Sequence, residues 1–494
     1  MNILKPSSIS LKDMLEEKHL SLSPQNYRKI AIKNPHVVKI SDLLDENSKY
    51  NKGTEVGGKS YVEFSTYKFI RNSNVSKLSN IVDLKNSLSI KPNDFSVALK
   101  LNNEDILLAT DANISDTNLF IQDSELDSNE YMFSSGLVRV NPRSDIDKFF
   151  LLSLLKDDYF KEQLEAMTPK GSTIRHSKDF FLKCLVPIPS DEQMWIVPII
   201  SNLMKNICYM EAHSSISMDK IFSYYENILN LEVEVKETRI SSLLSTNRLD
   251  AGLYSYDVKR FFARLNSIES YSLKDLGYKI RRGVNLAKRD LGRSLKTDVY
   301  RKNYYRLVYP SDISENGYIN KITYLGTASK IWFLEEKDIL FSAEGNVGKT
   351  FTICDANIRF TTNFHGIIIT PITKEAANIE DSIFISTFLF YMKKIGIIDK
   401  ISVGGQGGSF ATNYWDILQF PELSNSIKQS ISILYHNPAN DFNPIKFNSA
   451  AIQTMGVYQI NEMRIVCLSL ITSILTDLKN NKLQNEIHYA NFIS

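Results

Sequence analysis

Residues 337–352 read KDILFSAEGNVGKTFT, and residues 104–120 read EDILLATDANISDTNLF. In both, Asp-Ile-Leu opens a strand-like run that enters a small polar turn and leaves through a second polar-apolar run. Asp105 and Asp338 stand 233 positions apart (338 − 105). A second match has the same offset: VKISDLL at 38–44 aligns with YSLKDLG at 271–277, where Asp275 follows Asp42 by 233. Two offsets that agree point to a chain built twice.

Working outward, residues 1–36 form a polar, helical lead-in that ends at Asn34-Pro35, since the residue before proline is driven from the helical region. Residues 37–140 hold short β-like runs (VVKISDLL, SYVEFSTYKFI, DFSVALKL, EDILLAT, TNLFIQ, SSGLVRV) separated by Asn, Asp, Ser and Gly turns, the pattern of a curled or barrel-like sheet. Residues 146–167 then switch to helical spacing through Phe149, Leu152, Leu155, Tyr159 and Leu164. A proline-marked exit at Pro187 and Pro189 precedes residues 191–247, whose apolar positions step by three and four and predict long amphipathic helices. The cycle restarts at RLDAGLY, 248–254. Short β-runs lead to a helical stretch from Ile383, a glycine-rich loop GGQGGSF at 404–410, and helical spacing over 427–434 and 460–478, with a break at NPANDFNP between them. The fold class is therefore α+β, sheet domain and long helices occurring twice. The expected boundaries are 1–36, 37–189, 190–247, 248–421 and 422–494.

The chain has 494 residues, 43% hydrophobic and 23% charged, an ordinary globular balance. No apolar run reaches the length of a membrane span, and the first residues lack a signal-peptide core. Cys184, Cys208, Cys354 and Cys467 are scattered without CxxC spacing, so neither a disulfide framework nor a zinc site is expected. These features read as a cytoplasmic protein. The net charge of +2 hides an uneven distribution: residues 271–306 hold eleven Lys/Arg against three Asp, while 101–130 hold eight Asp/Glu and no cation. The basic run, interleaved with Tyr278, Tyr300, Tyr304 and Tyr305, suits a polyanion; a solvated basic face would read the same way.

Catalytic motifs fail in turn. EGNVGKT ends like a phosphate loop, but Ala343 stands where its first glycine belongs and β-branched FTICD follows where a helix should open; Asn346-Val347-Gly348 reads as a hairpin turn. GGQGGSF is not a dinucleotide fingerprint and has no acidic ribose partner. None of the Asn-Pro pairs has the second proline of an adenine methyltransferase loop, and Ala98 stands where a nuclease motif after Asp94 needs Glu. His176 and His365 are isolated, poor prospects for general-base or metal work. The expectation is a chain that binds rather than reacts.

KDILFSAEGNVGKT, GGQGGSFATNYWDILQFP, VPIPSDEQ at 186–193 and RLDAGLY together resemble the specificity (S) subunit of type I restriction-modification systems. The likeness covers essentially the whole chain. Its second half matches well; its first departs, with ATDANISD in place of SAEGNVGK and one glycine in KGSTIRH. The resemblance implies two target-recognition domains, each reading half of a split asymmetric DNA site. It also implies helical spacers that pack as an antiparallel coiled coil and act as a ruler. The spacers would dock two copies of an adenine-N6 DNA methyltransferase, with an ATP-dependent nuclease or translocase joining. S-adenosylmethionine, ATP and Mg then belong to partners, and this chain is not an enzyme. The expected DNA contacts are Arg281, Arg282, Lys288 and Arg289; then Lys349, Gln406 and Ser409; and, in the first half, Lys170, Ser172, Arg175 and His176. Alternatives are an S-like subunit of another defence or methylation-only complex such as a BREX-type system, a nucleotide-dependent enzyme, and a scaffold without a DNA role.

Overall fold

The computed structural model describes residues 3–4, 8–16, 29–30, 32–123, 125–169, 174–238, 248–287, 291–402, 409–410, 412–438 and 442–490. The chain divides into two compact units. Unit 1 is Met1–Ala212 with Phe442–Ser449 and Met463–Ser494; unit 2 is His213–Asp441 with Ala450–Glu462. No helix among the described residues is long and apolar enough to cross a membrane.

In unit 1 the strands are β1 (Val37–Lys39), β2 (Tyr50–Lys52), β3 (Tyr67–Ile70), β4 (Leu88–Ser89), β5 (Ile106–Ala109), β6 (Thr117–Leu119), β7 (Glu130–Phe133), β8 (Leu137–Val140) and β9 (Leu185–Pro187). One sheet has the order β2-β8-β5-β6, antiparallel throughout. A second has the order β4-β3-β7, in which β3 and β7 run parallel. Strands β1 and β9 pair apart from both. Ile106, Leu107, Leu108 and Ala109 are all buried. A strand covered on both faces loses the polar-apolar alternation of a half-exposed one.

Unit 2 contains β10 (Ser270–Ser272), β11 (Tyr278–Arg282), β12 (Ser294–Thr297), β13 (Tyr305–Leu307), β14 (Thr323–Thr327), β15 (Ile339–Ser342), β16 (Thr350–Thr352), β17 (Phe360–Thr361), β18 (Gly366–Pro371) and β19 (Gln419–Pro421). Its first sheet, β11-β18-β15-β16, repeats the antiparallel order of unit 1, and its second, β12-β14-β13-β17, again contains one parallel pair, β13 with β17. Strands β10 and β19 pair as β1 and β9 do.

The duplication extends to single backbone angles. Glu104, Ala112 and Ser115 have φ of 67°, 55° and 74°, and 233 positions later Lys337, Gly345 and Gly348 have φ of 72°, 75° and 97°. Asp105 accepts from the Asn102 N–H and Asp338 from the Glu335 N–H, each three residues upstream. These carboxylates set the turn that starts each hairpin, a local bond that favours Asp at turn positions. Unit 1 therefore holds an alanine and a serine in the left-handed region where unit 2 has glycines, at about 1–2 kcal/mol each. Ser115→Gly is expected to raise the unfolding midpoint slightly, because that relief is partly offset by a freer unfolded chain. Gly348→Ala is expected to cost more than about 2 kcal/mol, by strain and by overpacking, since its Cβ would lie 2.7 Å from Ile398 Cγ2 and 3.0 Å from Lys393 Cβ. Thermal denaturation of both variants checks the pair.

Several expectations change. The described part of the helical lead-in contains one short helix, Leu11–Glu16, and also an antiparallel pair, Ile3–Leu4 with Lys29–Ile30. The helical stretch 146–167 is two helices, α1 (Lys148–Lys156) and α2 (Asp158–Met167), because Asp157 leaves helical geometry to cap the second through the Tyr159 N–H, as Asp147 caps the first. Lys479 Nζ holds the Asp157 carboxylate at 2.9–3.0 Å. Of the long helices expected over 191–247, the described residues hold one, α3 (Ile196–Ile228), and 229–238 are not helical; after α4 (Tyr256–Asn266), α5 (Ile379–Lys394) and α6 (Asn425–Tyr435), the helix expected over 460–478 is α7 (Val457–Lys479). Pro198 sits in the first turn of α3, where its missing N–H costs nothing. The division between units falls within both: residues 196–212 and 463–479 belong to unit 1, and 213–228 and 457–462 to unit 2.

Candidate nucleic-acid interface

Each β-hairpin of the repeat presents a turn, 110–116 or 343–349, and the next long loop crosses it. In unit 1 the Ser177 N–H donates to Thr110 O (2.8 Å) and the Ala112 N–H to Arg175 O (3.1 Å). In unit 2 the Phe410 N–H donates to Ala343 O (2.8 Å). The bridges Asp111–His176 and Glu344–Ser409 again stand 233 apart. Turn and crossing loop are thus bonded into one edge in each unit, with different side chains at matching positions.

The acids at the two turns are engaged differently. Asp111 pairs with His176 at 2.9 Å, and Asn72 Nδ2 donates to its carbonyl. Glu344 contacts His365 and lies 3.6 Å from the exposed Arg282. Beneath the second turn, Phe341, Phe410 and Trp415 pack with ring centroids 4.9–5.5 Å apart and are buried together. The aromatic residues anchor the crossing loop to the sheet.

Lys349 is a correction. Its side chain is buried, donates to Ile313 O at 3.0 Å and pairs with Glu315 at 2.7 Å, so it braces the hairpin from inside. At the matching position of unit 1 stands Asp116. Burial raises its carboxyl above the usual range, opposed by Lys156, Lys161 and Lys77. The repeat has reversed the sign of one internal charge and of its surroundings. Arg281 is also framework: it lies over the Trp332 ring, and burial lowers its guanidinium pKa. Arg175 is held by Glu165 through two bonds of 2.7 and 3.0 Å. His176 and Ser409 lie on the crossing loops, beside Asp111 and Glu344. Lys170, Ser172, Lys288, Arg289 and Gln406 lie outside the described residues.

The basic stretch separates into two groups. Arg281 and Arg306, which bonds Glu462 at 2.6 Å, are internal. Lys274, Lys279, Arg282, Arg293, Lys296, Arg301 and Lys302 are exposed. Four of these, Arg293, Lys296, Arg301 and Lys302, lie on or beside β12 together with Tyr300, which is 53% exposed and leans edge-on against Tyr324. Singling out motif residues passed over this group; the tyrosine within a run of cations was its signal. The acidic stretch is largely consumed internally. Asp105 pairs with Arg139, and Glu130 with Lys100. Glu104 meets Lys148 and accepts from Tyr209 OH at 2.8 Å. Burial raises the Glu104 carboxyl, yet these bonds bring it below the usual range.

Residues 34–215 match the family model described as a type I restriction modification DNA specificity domain. The match spans the strands, turn and crossing loop of unit 1 and the opening of α3. No curated protein matches the chain. Among solved structures, the type I restriction-modification S subunit of M. genitalium is similar at 12% identity and a TM-score of 0.42, over 92% of this chain and 98% of that one. The HsdS subunit of Thermoanaerobacter tengcongensis is similar at 13% identity and a TM-score of 0.26, over 91% and 97%. A chain from a structure of type I R-M complex assembly and conformational transition is similar at 13% and 0.28, over 92% and 100%. At such scores these likenesses carry no detail of the specificity domain over to this chain.

Proposed function

We propose that the chain is the DNA-recognition subunit of a type I restriction-modification complex, with each unit reading one half of a bipartite, asymmetric site. The observation that carries this reading is the hairpin-and-loop edge repeated at an offset of 233 with different side chains on it. Two scaffolds alike in backbone and unlike in chemistry suit two different half-sites, since bases are read by side chains while phosphates are held by position. The long helices are the spacer: packed antiparallel as a coiled coil, they set the gap and dock two adenine-N6 methyltransferase subunits. An ATP-dependent nuclease subunit completes the assembly, and S-adenosylmethionine, ATP and Mg are bound by those partners. The complex works in the cytoplasm. The regions are a lead-in (1–36), recognition domains (37–189 and 248–421) and spacers (190–247 and 422–494).

Arg282, Ser409, Arg175, His176 and the loop residues Lys170, Ser172, Lys288, Arg289 and Gln406 are the proposed contacts. Arg293, Lys296, Arg301 and Lys302 join them as a phosphate-facing row. Replacing Arg293, Arg301 and Lys302 with alanine is expected to weaken binding to every sequence alike and to flatten the log–log salt dependence by about 0.9 for each phosphate left without its cation. Arg282→Ala, at the end of β11 beside Glu344 of the turn, is expected to relax one base position instead. Shift assays across a salt series, with methylation sequencing of a host that expresses the chain and its methyltransferase, test the reading. Unchanged binding by the triple variant would sink the basic row, and absence of a bipartite motif would sink the function.

A further inference from the structure

The helix segments of unit 1 bond its recognition part at several places, Tyr209 to Glu104 and Lys479 to Asp157 among them, and the most deeply buried of these is an ion pair. Glu211, on α3, is 0% exposed and Arg464, on α7, is 2% exposed; Arg464 Nε donates to Glu211 at 2.5 Å. The other bonds of the Glu211 carboxylate all run to residues 79–80: it accepts from the Asn80 N–H (2.7 Å), Asn80 Nδ2 (2.6 Å) and Ser79 Oγ (3.2 Å). That loop is itself sewn to the hairpin. Asn118, on β6, donates through Nδ2 to Ser79 O and Ile81 O, and the Leu119 N–H donates to Asn80 O at 2.8 Å. A continuous series of short bonds therefore leads from the two helices through Glu211 and residues 79–81 into β6 and the turn at 110–116.

Unit 2 pins the corresponding loop. In each unit it follows a single 3-10 turn, Asn72–Asn74 or Pro310–Asp312. There, Asn461 on α7 accepts from the Ile319 N–H at 2.8 Å, and Ser214 on α3 donates to Asn316 O at 2.7 Å. The acceptor in unit 1 is a carboxylate, which takes three bonds at once and whose charge is balanced by Arg464. Apolar packing alone would leave a sheet free to slide along a helix, because the hydrophobic effect is non-directional; directed bonds fix the register, and the charge-assisted ones at Glu211 are the most buried of them.

We propose that Glu211, braced by Arg464 and bonded to Asn80, is a positioning residue that fixes where the first recognition domain sits along the spacer helix, and so fixes the gap between half-sites. This rests on the proposed function. The clamp touches no DNA; it acts through residues 79–81. Its loss leaves base preference intact and lets the gap vary.

The test is methylation sequencing of cells expressing the full chain with its methyltransferase. The wild type is compared with Asn80→Ala, which leaves the ion pair in place, and with Glu211→Leu/Arg464→Met, which replaces the pair with apolar volume. The expected result is the same two half-sites in every case. Methylation at sites one base pair longer or shorter is expected to rise at least about tenfold in the variants, the change that about 1.4 kcal/mol of lost discrimination gives. A single unchanged gap in a variant that accumulates overturns the clamp, as does a changed half-site. Asn80→Ala carries the test if the double variant does not accumulate. A wild type without any bipartite motif overturns the functional reading instead, and the clamp falls with it.

Discussion

Arg464→Met is expected to destabilise unit 1 by about 3–5 kcal/mol, the usual result of removing one partner from a buried ion pair. Glu211 would then keep its charge in a site without solvent, with the bonds from Asn80 and Ser79 and the more distant charge of Lys156, which itself bonds Ser79 O, in place of the direct ion pair. At about 2–4 °C per kcal/mol for a unit of this size, the first thermal transition should fall by roughly 10 °C. Adding Glu211→Leu is expected to return most of the loss, because apolar residues of similar volume replace such pairs with little penalty. The acid side gives a second signature. Burial raises the Glu211 carboxyl, but the Arg464 charge and the Asn80 bonds hold it below its ordinary 4.5. A depressed folded-state pKa gives stability that is present above the unfolded value and lost as pH falls through the folded one. The double variant should therefore lose less stability than the wild type below about pH 4.5. A single Arg464→Met variant with an unchanged midpoint would contradict the assignment.

Phe341→Ala carries the other large effect. The ring is buried between Phe410 and Trp415, and its removal is expected to cost about 3–5 kcal/mol in unit 2. The consequence for recognition is selective. Phe410 N–H still reaches Ala343 O in principle, but the aromatic seat that holds the crossing loop is gone. At a temperature where the variant stays folded, protection of one half-site in a footprint should weaken while the other half-site stays protected. Equal loss at both would show that the two units do not read separately.

How much of this was legible depended on how local the cause was. The twin hairpins were readable because Asp105 and Asp338 each bond the backbone three residues upstream. The hairpin reading of Asn346-Val347-Gly348 followed from the same local logic: β15 and β16 flank it, and Gly348 takes the left-handed angle. The break at Asp157 was also local, but helical spacing ran through it and obscured the cap. What lay beyond reach was long-range pairing. Lys349 reads as a free cation until Glu315 is seen 34 residues upstream. Arg306 counts as surface charge until Glu462 meets it, and the acids of 101–130 count as one face until Arg139, Lys100 and Lys148 neutralise them one by one. Charge totals along a stretch cannot separate framework ions from exposed ones, because partners come from anywhere in the fold.

The reversed charges at the matching hairpin positions limit how such a chain can be recombined. A hairpin carrying Lys349, moved into unit 1, would set an ammonium among Lys77, Lys156 and Lys161, while one carrying Asp116, moved into unit 2, would face Glu315. Either graft places like charges together in a partly buried site, which costs stability. The smallest cassette that can change places between halves therefore has to carry the charges that face the hairpin as well as the hairpin itself, which means 77 through 161 in unit 1 and 315 through 393 in unit 2. Chimeras cut inside that span should fail to accumulate, whereas those cut outside it should fold and carry a new half-site with them.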